Sequence, residues 1–286
     1  MKKTTKQLAK AAAIGVAAGG IDFLAVTTNL HRSYTHKSFE MNKTLDTAAR
    51  VVIWGTGTRR RTWAAIHRLH HEEADTPEDP HSPVQLGKWG VHKLFMTNTP
   101  DYFRKSKEVD AANEYPPDLQ PDKLDEVLFD KKKLGLAASL AGHAAVNKLA
   151  GNPGYYGAVS WAVEKLMYTK GGDGINAGGH SGKNLRKALT TGVIEPHPDG
   201  SYGSDSAVLA LLTFGEGRQK SHHDHPERVF FGDDPEEMSL YARAAHDLGG
   251  TIVMGLIEQG LAAKGTAPPS PESDLAPVIP LFRDTA

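Results

Sequence analysis

The 286-residue sequence contains no cysteine. That absence removes disulfides, thiolate nucleophiles, zinc–thiolate sites and ordinary iron–sulfur ligation together, and it leaves any metal chemistry to histidine and carboxylates. Aromatic residues make up only 7% and hydrophobic residues 39%, below the usual share but enough for a core, which excludes a chain disordered throughout. Neither sign of charge dominates. With 33 basic against 34 acidic residues, no global field draws nucleic acid or an anionic membrane. Long apolar runs are missing too: the longest stretch without Asp, Glu, Lys or Arg is 15 residues, 149–163, and it contains Asn-Pro-Gly. A membrane-spanning helix needs about 20 mostly apolar residues. The HExxH, GxSxG, Walker and Rossmann signatures are all absent, and the glycines at 171–182 resemble a phosphate loop only superficially, because Lys183 is followed by Asn184.

Histidine, in contrast, is abundant: 14 residues, roughly twice the usual frequency. Nine of the 14 fall in three short clusters: His31 and His36; His67, His70, His71 and His81; His222, His223 and His225. His92, His143, His197 and His246 have no neighbour at ligand spacing and read as surface or satisfied core residues. In HRLHH, residues 67, 70 and 71 sit at i, i+3 and i+4, which puts three imidazoles on one face of a helix. The same spacing recurs at Gln219, His222 and His223, with an amide in place of the first ring, and two such helices facing each other would enclose a pair of cations. His31 and His36 are five apart, which an ideal α-helix turns well away from one direction, so the pair is expected to straddle a helix end and to serve different metals. Imidazole suits Zn, Cu, Fe and Ni alike, but eight or more rings are too many for one tetrahedral zinc. Asp75 and Asp79, followed by His81, are expected to orient the ligating rings, whereas Glu72, Glu73 and Glu78 read as a solvated helix end.

Helical patterning runs through the chain and strand-like alternation is scarce, so the fold class is all-α. Residues 11–30 form an apolar Gly/Ala-rich helix that delivers His31, and Thr62–Glu73 read as one helix. Residues 75–83 hold three prolines and form a loop. Residues 95–133 read as a solvent-facing insertion with short helices, and 134–150 and 155–169 as a helical hairpin that the glycines of 171–182 break. The domain expected is 1–263, followed by a Pro/Ser-rich tail, 264–286, expected to be disordered. Arg59, Arg60 and Arg61 read as a solvated basic face that could also attract an acidic headgroup or electron donor.

HRSYTH (31–36), HRLHHEEADTPEDPHSP (67–83), INAGGHSGKN (175–184) and GEGRQKSHHDHP (215–226) together resemble the ordered histidine boxes of the acyl-CoA type membrane fatty acid desaturases. The resemblance covers roughly residues 20–235 with the boxes in family order. It implies a helical membrane bundle with a histidine-box cap on the cytoplasmic side. It further implies two iron ions held by nine histidines and a water-linked asparagine, and the use of dioxygen and two electrons to introduce a double bond into a saturated acyl chain. Carried over to this chain, the ligands would be His31, His36, His67, His70, His71, His180, His222 and His223, with Asn176 at the water-linked position. Gln219 would stand where the family has a further histidine. The implied partners are a fatty acyl thioester or lipid-linked acyl substrate, dioxygen, and an electron donor such as a ferredoxin or a b-type cytochrome. The acyl channel is expected among the helices at 11–30, 134–150 and 155–169, with Tyr155, Tyr156 and Trp161 as candidate walls.

The sequence departs from this pattern twice. Gln219 replaces a ligating ring, and Asp22, Lys148, Glu164 and Lys165 interrupt the three most apolar segments, each at about 2.5 to 3.5 kcal/mol if placed at the centre of a span. One apolar segment precedes His31 where the family has two. A catalytically impaired metal-binding homologue with a structural or regulatory role, or a lipid hydroxylase, are therefore the alternative readings.

Overall fold

A computed structural model describes residues 3–112, 115–232 and 234–265. The first helix, α1 (Lys3–Ala25), continues without a break into a π-helical segment, Val26–Thr35. After a short strand β1 (Phe39–Met41), Asn42 accepts from Leu45 N and opens α2 (Lys43–Thr56), which Gly57 closes at φ +83°. Then come α3 (Arg60–Glu72), α4 (Gly90–Ala112), α5 (Lys132–Leu149), α6 (Gly157–Gly179), α7 (Leu185–Thr191), α8 (Ala207–Leu212), α9 (Gln219–Asp224), α10 (Leu240–His246) and α11 (Leu248–Glu258). Strand β2 (Ala262–Lys264) pairs antiparallel with β1, Phe39 opposite Lys264. The all-α reading holds, with this one small ribbon added among the described residues. Lys264 belongs to that ribbon, and the rest of the expected tail, from 266, lies outside the described residues.

Helices α1, α5 and α6 form a layer whose polarity is inverted. Facing out are Leu8, Val16 and Ile21 of α1, Leu134, Leu140, Val146 and Leu149 of α5, and Leu166 of α6. Facing in are Asp22, His143, Asn147, Ser160 and Glu164. Four of the inward groups are hydrogen-bonded together: His143 bridges Ser160 Oγ at 2.9 Å and Glu164 Oε2 at 2.7 Å, Asn147 donates to Ser160 Oγ, and Lys165 Nζ donates to Glu164 Oε1 and to the Gly55 carbonyl, each at 2.8 Å. Gly15 and Gly19 of α1 lie against α6 so closely that a Cβ at Gly15 would sit 2.7 Å from Val163 Cβ, and one at Gly19 3.1 Å from Met167 Cβ.

Two expectations are corrected. The glycines of 171–182 do not break α6, which runs to Gly179. Their missing side chains admit neighbours instead, Phe23 at Gly171 and Gln219 at Gly179. Residues 95–133 are not a loose insertion of short helices either. Within them α4 extends 23 residues from Gly90, packs on α6 and buries Val91, Leu94, Asn98, Ser106 and Val109. Acidic residues in and after α4 take up the basic run: Arg59 pairs with Asp110 at 2.8 Å, Arg60 with Asp125 at 3.0 Å and Arg61 with Asp130 at 2.8 Å. These three arginines are thus internal ties and not a free basic face.

Candidate metal centre

Eight histidines from four parts of the chain meet where α3 crosses the π-helical segment and α9. His31, His36, His67, His71 and His222 form one group and His70, His180 and His223 a second, with one ligand nitrogen per ring and all nitrogens within 4.8 Å of each other in each group. The facing of HRLHH by the third cluster is borne out: His71 Nε2 lies 2.8 Å from His222 Nε2, and His70 Nε2 3.2 Å from His223 Nε2. His31 and His36, expected to serve different metals, fall instead in one group. Between them the backbone is π-helical, His36 N donating to the His31 carbonyl at 3.1 Å. This i→i+5 pairing widens the turn enough to bring residues five apart onto one side, their ring centroids 4.9 Å from each other. His81, His225 and the four isolated histidines stand outside both groups. His81 stacks on His70 at 4.3 Å and closes a separate set with His70 and Asp79.

Carboxylates fix the outer nitrogens of three rings. Asp79 accepts from His70 Nδ1 at 2.9 and 3.0 Å, and Asp75 from His180 Nδ1 at 3.0 Å, as expected of both residues. Glu216, which sequence reasoning missed, lies 2.7 Å from His31 Nδ1. The rule that singled out Asp75 and Asp79, a carboxylate beside candidate ligands, would have found it in the Gly-Glu-Gly before the third cluster. An ionised carboxylate can only accept, so at His70 and His180 it is Nδ1 that donates and Nε2 that is turned toward the other rings. The Nε2 atoms of His70 and His180 lie 3.1 Å apart, a spacing that two ligands of one metal ion can have.

The electrostatics agree. Burial, followed by repulsion from neighbouring rings, holds His36, His67, His71, His222 and His223 well below the ordinary imidazole value, so they are neutral donors. Burial also lowers His81, to about 3. Burial alone would lower His180 and raise Asp79 and Glu216, but the ion pairs outweigh it: Asp75 lifts His180, His70 depresses Asp79, and His31 with Arg32 brings Glu216 down to about 2. Eight imidazoles, three of them backed by carboxylates, suit iron or another borderline divalent ion, and their division into two groups suits a pair.

Gln219 and Asn176 border the second group without joining the hydrogen bonds of its rings. Gln219 is buried and its Nε2 donates to the Glu216 carbonyl at 2.6 Å, which leaves Oε1 as its only free ligand atom. Asn176 precedes His180 by four residues on α6 and donates to Asn98 Oδ1 at 3.2 Å. Both line a cavity of about 330 Å³ that opens beside the rings of His67 and His70. Its walls are Phe23, Val26, Trp63, Ile66, Trp161 and Tyr168, with α4 closing it through Tyr102 and Phe103. Trp161 is thus a wall as expected. Tyr155 is not, being exposed at the far end of the bundle, and neither is Tyr156, which is buried there with its OH 3.4 Å from Gln7 Oε1.

Known proteins resemble this chain in sequence. The chain is 24% identical to a hex-5-enoyl-[acyl-carrier protein] acetylenase of Moorena producens over 84% of this chain and 72% of that protein. It is 29% identical to an sn-1 stearoyl-lipid 9-desaturase of Synechocystis over 73% of this chain and 58% of that protein. A Delta-9 desaturase-like 2 protein of Arabidopsis thaliana is 37% identical over 29% of this chain and 27% of its own length. The chain thus spans from about a quarter to three quarters of the relatives it matches. The family described as fatty acid desaturase matches residues 9–231, a stretch that holds both histidine groups, all three carboxylates behind them and most of the cavity wall, and the chain belongs to that family.

Proposed function

We propose that the chain is a di-iron fatty acyl desaturase set in a membrane. The observation that carries this reading is the meeting of two histidine groups at one wall of a cavity whose surface is mostly apolar. His31, His36, His67, His71 and His222 would hold one iron, and His70, His180 and His223 the other, with Gln219 and Asn176 beside it. Two bound irons supply the activation of dioxygen needed to take two hydrogens from an unactivated methylene pair. The remaining work falls to the chain itself. Phe23, Val26, Trp63, Ile66 and Trp161 exclude water and align a saturated acyl segment with the rings, while Asp75, Asp79 and Glu216 lock the tautomer and direction of the ligands. The acyl group would arrive as a thioester or lipid-linked chain, and the electrons from a donor such as a ferredoxin or b-type cytochrome. The relatives' acyl-carrier and lipid-linked substrates make both carriers reasonable.

The membrane placement rests on the inverted layer. Among the described residues one helical stretch, Lys3–Thr35, is long and apolar enough to cross a bilayer. Around it, α1, α5 and α6 turn leucine, valine and alanine outward and hydrogen-bonded polar groups inward, and α1 meets α6 through small residues spaced four apart, the packing favoured in lipid. The histidine groups then lie at the cytoplasmic end of this layer.

A second reading is favoured by one observation: Gln219 holds its amide nitrogen on the Glu216 carbonyl where the family has an imidazole. A catalytically impaired homologue would bind metal without turnover, and a lipid hydroxylase would share the same centre. Expression of the full chain with a suitable reductase tests all three. Two irons per chain and new double bonds in the cell's acyl chains support the desaturase, hydroxylated chains the hydroxylase, and one zinc or no metal would remove the first reading. If turnover appears only with Gln219→His, the impaired reading stands.

A further inference from the structure

We propose that Asp247, at the start of a helix that lies beyond the family-matched residues, is a positioning residue for the five-histidine group, acting through Arg32 and Glu216 on the imidazole of His31. The inference rests on the metal-binding reading above and extends it to a part of the chain no box reaches. Asp247 grips Arg32 Nη2 with both carboxylate oxygens, at 2.9 and 3.0 Å. Arg32 Nη1 donates to Glu216 Oε1 at 2.9 Å and Glu216 Oε2 lies 2.7 Å from His31 Nδ1. Every member is at least 95% buried: Asp247 and Arg32 are fully enclosed, with His31 at 1% and Glu216 at 4% exposure. Arg32 is held from the sides as well, Nε donating to the Val229 carbonyl at 2.9 Å and the guanidinium lying 3.8 Å from the centre of the Phe231 ring.

Charge explains why the far end of this relay matters to the near end. One guanidinium is shared by two carboxylates, so Glu216 keeps part of its negative charge for the Nδ1–H of His31, and His31 Nε2 is correspondingly the stronger donor toward a cation. Without the charge of Asp247, Arg32 belongs to Glu216 alone, the pull on Nδ1–H slackens, and Nε2 loses both basicity and direction. Asp247 also has an ordinary structural role, since its carboxylate accepts from Gly250 N at 2.8 Å, capping α11, and from Phe231 N at 2.9 Å. A decisive experiment must separate the two.

Asp247→Asn and Asp247→Ser both retain an N-cap oxygen while removing the charge. The full-length protein, purified in detergent, is titrated with Co2+ alone against a competing chelator, and the visible absorption of each bound ion is followed. The expected result is two ions in the wild type and, in both variants, a 10- to 100-fold weaker affinity and a shifted spectrum for one of them, the other unchanged; Glu216→Gln strikes the same ion. Unchanged affinities accompanied by a lower melting temperature of the metal-free chain would make Asp247 a helix cap only and overturn the proposal. Equal weakening of both ions overturns it as well. A wild type that binds no ion would instead refute the metal reading itself.

Discussion

Replacing Asp79 by asparagine probes the second histidine group at its outer layer. One oxygen of Asp79 receives His70 Nδ1 at 2.9 Å and the His81 amide at 2.9 Å, while the other receives His70 Nδ1 at 3.0 Å and the Asp75 amide at 2.8 Å. Asparagine offers one oxygen and one NH2, so whichever way it is placed, a backbone N–H that now donates to a carboxylate faces a donor instead. Loss of one charge-assisted hydrogen bond in a buried site costs about 1.5 to 3 kcal/mol, and a further cost arises because the loop 75–81 also aims Asp75 at His180. For the metal, loss of the carboxylate behind a ligating ring lowers affinity about 10- to 100-fold. The variant should therefore lose one of two bound ions first under chelator, and its metal-free form should unfold at a lower denaturant concentration. The geometry confines the metal effect to the three-histidine group, because none of the five rings of the other group touches Asp79. Paired metal analysis and urea melts measure both effects. Retention of both ions at wild-type affinity, or equal loss of the two, would refute the assignment of Asp79 to the second group.

Two further outcomes follow from the packing and the surface charge. Gly15→Ala should destabilise by about 1 to 3 kcal/mol, since its Cβ meets the Ser160 carbonyl and Val163 Cβ, which cannot yield cheaply; Gly142→Ala, with nothing within 4 Å, should instead stabilise by up to about 1 kcal/mol, and melts in the same detergent compare them. Arg50 donates to Asp122 and holds it near 2, below its ordinary 3.8, so the pair's stabilisation is fully present above about pH 4 and is lost as the pH falls through 2; Asp122→Asn should lower the melting temperature at pH 5 and lower it much less at pH 2.

What the sequence made legible, and what it hid, divides along the range of the interactions. The register of His67, His70 and His71 follows from the 3.6-residue period, and Asp75 and Asp79 lie close in sequence to the HRLHH helix whose rings they help to orient. The placement of His31 beside His36 depends on a π-helical turn that has no residue signature. The helix through 171–179 defied the expectation of a break because those glycines answer to Phe23 and Gln219, partners distant in sequence. Segment hydropathy understated the outward apolar layer for a related reason: an average over α5 mixes Leu134, Leu140 and Val146 outside with His143 and Asn147 inside. Asp247 is the extreme case. It lies 215 residues from the arginine it grips, and no local pattern marks it.

The histidine groups also bear on a chain that has no covalent cross-link. A metal ion held by the five-ring group would tie residue 31 to residue 222, and one in the three-ring group residue 70 to residue 223. Closing loops of such length removes much of the freedom of the unfolded chain, and the dependence on loop length is only logarithmic, so the two ties resemble each other in effect. The ions would then serve as staples for the segments that carry the rings, while the α1–α5–α6 layer stands on its own packing. If the two groups bind metal, the metal-free protein would keep its helical layer while the segments the ions tie slacken and open to proteolysis.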